Sequence, residues 1–209
     1  MKDIIKKVKE ALSIPVIANG GVGNRSDAIA CLEYTGADGV MSSEALLENP
    51  KLFSKSGDSF FQRDYIHCQL QTVREFREIL MSYPAPRPLF QVVRGHLFKM
   101  LYRFIDAPLN ADLRMLLATG NLEEMFSVVS EIEKRFSQAG LFNPERVAIA
   151  EFDEESEDIC RENEEKAVAL GLLGPTSWYM RHRDDRAANR VLSRRREFSG
   201  SSIPARQSV

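Results

Sequence analysis

With 209 residues and a formal charge of −2, set by 28 lysines and arginines against 30 aspartates and glutamates, the chain has room for one or two domains. Three cysteines without ligand spacing argue against a disulfide framework or a zinc site. No apolar run approaches membrane-spanning length, and the amino terminus lacks a signal-peptide pattern. The chain opens on a helix that carries Ile4, Ile5, Val8, Ala11 and Leu12 along one stripe. Pro15 ends it by disfavouring helical geometry at Ile14. Val16-Ile17-Ala18 is then the short apolar run of a strand buried on both faces, and Asn19-Gly20-Gly21 breaks it. Ser26 and Asp27 start a second helix, which turns Ala28, Ile29 and Leu32 inward and stops at Gly36. Gly39-Val40-Met41 is the second strand, and Ser42-Ser43-Glu44 leads into a short helix ending near Asn49-Pro50. Strand, helix, strand, helix over so short a span means parallel strands joined by crossovers.

The turns carry the chemistry. Glycines let backbone N–H groups approach a ligand closely, and helix starts present unpaired N–H groups with partial positive charge. In (β/α)8 barrels the loops after the last two strands commonly hold a phosphate this way. Two readings of Gly20, Gly21 and Gly23 stand side by side: an anion pocket and a simple tight turn. Their spacing is neither the dinucleotide fingerprint nor a P-loop.

The whole stretch from Ile14 to Phe53 resembles the tRNA-dihydrouridine synthases. IPVIANGGV is similar to their seventh barrel strand and its loop, TGADGVM to the eighth strand, and ALLENPKLF to the helix that closes the barrel. The SSEAL form resembles the eukaryotic branch that reduces D-loop uridines. The resemblance implies FMN as hydride carrier, NADPH or NADH as its source, and reduction of a flipped-out tRNA uridine at C5–C6. It places Asn19, Gly20 and Gly21 in the loop that holds the FMN phosphate, with Ser43 and Glu44 in the second half of that cradle. Many members have Gly-Arg at that second position, so Glu44 is a departure. Either backbone amides and the Ser42 or Ser43 hydroxyls do more of the gripping, or Glu44 points away and pairs with a cation.

The family's catalytic cysteine lies in an Asn-x-Gly-Cys-Pro context, and Cys31, Cys68 and Cys160 have no such surroundings. No catalytic residue is assigned. Two strands cannot close a barrel, and their apolar faces need neighbours. Residues 1–53 are therefore expected to be the truncated C-terminal part of an FMN-binding barrel. A partial gene model, a splice product and a genuine short protein would each begin this way.

Residues 54–143 are expected to form a helical tRNA-binding domain. Tyr65, Cys68, Thr72, Phe76, Ile79 and Leu80 recur at helical spacing until Pro84, Pro86 and Pro88 force a stop. Phe90, Val93, Leu97, Met100, Leu101 and Phe104 line one face of the next helix. A last one carries Leu122, Met125, Phe126, Val129, Ile132 and Phe136, starting at Asn121 or Thr119 and ending at Gly140. His96, Lys99 and Arg103, at offsets of three and four, share a stripe beside the apolar face. That stripe reads either as RNA contact or as a solvated face of mixed charge, and the resemblance favours RNA. No second histidine or cysteine lies at metal-ligand spacing from His96.

Residues 144–209 are expected to be a charged linker and a disordered Arg-rich tail. Positions 151–165 hold nine acidic residues against Arg161, which suits a solvated linker or weak helix. From Arg181 to Arg196, seven arginines face Asp184 and Asp185, with Trp178 and Tyr179 just before them. RNA stacking, a nuclear-localisation signal, a plain soluble tail and contact with the acidic block are the competing readings.

The fold class expected is thus α/β followed by all-α. The function expected is the C-terminal portion of an FMN-dependent tRNA-dihydrouridine synthase, inactive alone, with tRNA as partner and neither metal nor membrane. The cytoplasm, and also the nucleus, is its expected location. A non-catalytic RNA-binding module is the alternative, and a phosphate-binding barrel portion of another flavin or sugar-phosphate enzyme is a third.

Overall fold

The computed structural model describes residues 2–83, 90–143 and 154–181. The proline segment at 84–88, positions 151–153 of the acidic block and the arginine run beyond Arg181 lie outside the described residues, as does the tail expected to be disordered.

The first part agrees closely with the sequence. Helix α1 (Lys2–Ala11) precedes strand β1 (Ile17–Asn19), helix α2 (Arg25–Thr35) crosses over, and strand β2 (Gly39–Met41) returns parallel to β1. The register pairs Ile17 with Gly39, Ala18 with Val40 and Asn19 with Met41, so both strands end at one edge. Helix α3 (Ala45–Glu48) comes next. The start of α2 differs from expectation. Asn24, in extended geometry, is the cap and accepts from the Asp27 N–H, so the helix begins at Arg25 before Ser26 is reached. Gly36 closes it at φ 67°, a left-handed residue whose N–H donates to the Leu32 carbonyl. The inward face of α2 is Ala28, Cys31 and Thr35, and Ile29 faces out. No residue of α1 is buried: Ile4 and Val8 lie open, with Leu12 just beyond the helix and Ile17 on β1. This open apolar face is what two unclosed strands and their leading helix should present.

Helices then dominate. Helix α4 (Lys55–Arg63) leads into α5 (Tyr65–Ser82), α6 (Phe90–Met100), the short α7 (Tyr102–Ile105), α8 (Ala111–Thr119) and α9 (Leu122–Gln138). The apolar face expected over 90–104 is two helices, because the chain breaks at Leu101 and re-aims the turn that begins at Tyr102. Asn121 caps α9 in a reciprocal box with Glu124, and Gly140 ends it at φ 69°. Leu70, Leu97, Phe104, Leu117, Ile132 and Phe136 are fully buried in one shared core. Burying each such side chain contributes about 1.5–3 kcal/mol before entropy is subtracted.

The acidic segment corrects the expected linker. Glu154–Ala169 is a helix, α10, and Ala167, Leu172 and Leu173 enter the same core as α5 to α9. Fully buried Asn110 anchors this return, donating to the carbonyls of Phe104 (2.9 Å) and Leu172 (3.0 Å). The carboxylates sit on the outer face, where Glu157 pairs with Arg63 and Asp158 with Arg161.

Candidate functional site

Because β1 and β2 end in register, the two turns singled out in the sequence emerge side by side. Ser42, buried, donates from Oγ to the Val22 carbonyl at 3.0 Å and ties the turns together. Gly20 and Gly21 have φ of 109° and 74°, a region where a Cβ is strained, so this loop needs glycine at both positions. Ser43 and Asn19 are exposed beside them. Glu44 is half-buried in helical geometry and makes no capping bond to α3. The start of α2 is already satisfied from within: Asp27 accepts the Gly23 N–H at 2.9 Å, and Asn24 caps Asp27. A carboxylate there leaves the α2 start unsuited to a second anion. The anion-accepting part of the edge is therefore the glycine turn with Ser43 opposite.

The stripe of His96, Lys99 and Arg103 is not one surface, which corrects its expected geometry. His96 is half-buried, edge-on to Phe76, and burial and then Lys99 lower its pKa. Lys99 bonds the Gly95 carbonyl and lies 5.5 Å over the Trp178 ring. Arg103 is 7% exposed, because the break at Leu101 turns it inward. Its Nε donates to the Gly174 carbonyl at 2.8 Å, and its Nη1 pairs with Glu164 at 2.7 Å. Its guanidinium also stacks 4.5 Å from the Tyr65 ring. The aromatic pair divides as well: Tyr179 is buried, while Trp178 stays half-buried under Arg181.

Sequence reasoning missed the junction between the two parts. Glu48, at the end of α3, is 3% exposed, and its carboxylate accepts the N–H groups of Trp178 (3.3 Å) and Tyr179 (3.0 Å). Gln69 donates to the Glu48 and Met100 carbonyls, joining α3, α5 and α6. Asp58 accepts from the Arg25 N–H and from Asn49. A cavity of about 330 Å³ lies here, lined by Asn24, Asp27, Glu48, Tyr65, Arg103 and Tyr179 among others. A glutamate inside the apolar run ALLENPKLF was the available hint, but its partners lie far downstream.

Burial raises the Glu48 pKa against the lowering effect of those two N–H donors. Above its ordinary value of 4.5 the unfolded chain releases a proton that the folded chain retains, so stability falls as pH rises through that window. Urea midpoints taken from about pH 4 to about pH 7 should fall more in the wild type than in Glu48→Gln. Burial raises Asp58 too, and the difference between the two profiles isolates Glu48.

Among the described residues no group of three His, Cys, Asp or Glu side chains could hold a metal, and no helix is long and apolar enough to cross a membrane. A family profile described as dihydrouridine synthase matches residues 2–139. The chain belongs to the dihydrouridine synthase family. Within that family, the probable tRNA-dihydrouridine synthase 1 of Synechocystis sp. is 44% identical over 99 residues, covering 44% of this chain and 27% of that protein. A tRNA-dihydrouridine(16/17) synthase-like protein of Mus musculus is 32% identical over 130 residues, 62% of this chain and 24% of its own length. The tRNA-dihydrouridine(16/17) synthase of Schizosaccharomyces pombe is 30% identical over 129 residues, or 57% and 31%. The chain thus spans between 24% and 31% of the length of these dihydrouridine synthases. The family match takes in both strand-end turns and stops at residue 139, so α10 and the Tyr179 segment lie outside it.

Proposed function

We propose that this chain is the phosphate-holding and helical portion of an FMN-dependent tRNA-dihydrouridine synthase of the D-loop branch, working with NADPH or NADH. The observation that carries this reading is the pair of strand-end turns tied by Ser42, in a chain of the dihydrouridine synthase family. The residues fit a phosphate on the glycine side: two consecutive positive-φ glycines face an exposed hydroxyl. Gly20 and Gly21 would hold it through the backbone and Ser43 through its hydroxyl, while Glu44 adds repulsion. FMN, when bound, supplies hydride transfer to the uridine C5–C6 bond.

The proton that completes the reduction comes from outside these residues. Cys31, Cys68 and Cys160 are 2%, 0% and 5% exposed, and burial pushes the Cys68 thiol up to about 12. None can reach a substrate, so this chain alone is expected to form no dihydrouridine. A second reading, an RNA-binding module without chemistry, draws on Lys99, Trp178, Arg181 and Tyr102, which gather two cations over two aromatic rings.

A chimaera tests the first reading. Residues 2–139 would replace the matching region of the Schizosaccharomyces pombe relative, and tRNA dihydrouridine would be quantified by mass spectrometry. Dihydrouridine should form, and Gly21→Val should weaken FMN binding roughly tenfold or more through backbone strain. A folded, flavin-loaded chimaera that forms no dihydrouridine would overturn the assignment. Retention of tRNA by the chain under that outcome would leave the module.

A further inference from the structure

We propose that Tyr179, which the family match does not reach, is a positioning residue for the glycine turn after β1. The inference rests on the reading of that turn as a phosphate holder. A turn containing two adjacent glycines is costly to order, because glycine loses more backbone freedom than any other residue. Its near end is fixed by the β1–β2 ladder. The far end, Val22-Gly23, is where the Tyr179 ring lies. A Cβ on Gly23 would come within 2.8 Å of the Tyr179 Cε1, so the ring rests directly on the backbone there. The same ring shares a buried cluster with Val22, Ala28, Ala45 and Leu52, and so braces α2 and α3 together with the turn.

The ring is itself held from two sides. Upstream, Gly174 and Arg103 exchange backbone and side-chain bonds: the Gly174 N–H donates to the Arg103 carbonyl at 2.6 Å, and Arg103 Nε returns a bond at 2.8 Å. Immediately before the ring, Glu48 grips the Trp178 and Tyr179 N–H groups. Both anchors are buried. The helical core thus delivers one aromatic ring to the far end of the glycine turn, and the turn's geometry depends on a segment distant in sequence.

Hydrogen exchange by mass spectrometry on the purified chain tests this without flavin. Tyr179→Ala should speed exchange across residues 19–24 by about tenfold or more while α9 exchange stays unchanged. Tyr179→Phe, which keeps the ring, should match the wild type. Unchanged exchange at 19–24 in a folded Tyr179→Ala chain would overturn the proposal. Should Tyr179→Ala loosen α9 as well, Tyr179→Leu keeps the cluster filled but lifts the ring from Gly23. Loosening confined to 19–24 then supports the proposal, and its absence overturns it. FMN fluorescence quenching is the second arm. Affinity that weakens with the turn supports both readings. A loosened turn with FMN binding unaffected supports the positioning role and overturns the phosphate reading alone.

Discussion

Phe104→Ala is expected to cost about 4 kcal/mol of folding stability, the largest single effect in this chain. The side chain is fully buried in α7 and packs against two aromatic rings. It stacks on Tyr65 of α5 with centroids 5.8 Å apart and planes at 18°, and it meets Phe136 of α9 edge-on at 5.3 Å. Truncation removes the apolar transfer energy and leaves a cavity that three helices cannot close without moving together. Total stabilities of about 5–15 kcal/mol are usual, so one such loss takes a large share. Phe98, only partly buried against the same core, should lose much less on the same change. Urea unfolding monitored by helical circular dichroism measures both. Equal losses would mean that the centre of the core lies elsewhere than at the junction of α5, α7 and α9.

The β1–α2–β2 unit was legible because its signals are local. A short apolar run bounded by glycines, a left-handed Gly36 and a second apolar run leave few alternatives. The bundle stripes were legible for the same reason, since spacing of three and four fixes which residues share a face. Spacing failed where the helix itself changed course. The break at Leu101 separates Arg103 from His96 and Lys99, and nothing in the residue pattern announced it. Charge density misled at α10, because nine carboxylates can occupy an outer face while Ala167, Leu172 and Leu173 supply an inner one. The Glu48–Tyr179 bond joins residues 131 positions apart, a separation at which periodicity carries no information. The candidate cradle was therefore readable as two turns, and what steadies it was not.

Arg103→Met is expected to cost about 3 kcal/mol, because it removes one member of a largely buried ion pair and strands its partners. Arg103 is 9% exposed at its side chain and Glu164 is 35% exposed, so water recovers part of the loss at the glutamate. The Gly174 carbonyl loses its side-chain donor, and Tyr65 loses the cation over its ring. Lysine should not rescue it, since one ammonium cannot reach Glu164 and Gly174 in the geometry of a planar fork. The outcome separates a structural arginine from an RNA-binding one. Lys99→Ala should leave stability within about 0.5 kcal/mol. If Lys99 meets a phosphate, it should also lower the salt dependence of tRNA affinity by about one ion. Arg103→Met, assayed where it is still folded, should leave that salt dependence unchanged. A stable Arg103→Met chain with a reduced salt slope would instead put the guanidinium on the nucleic acid. The buried pairing with Glu164 and Gly174 predicts the opposite, because a cation already committed to a carboxylate and a carbonyl has little charge left to release counterions from RNA.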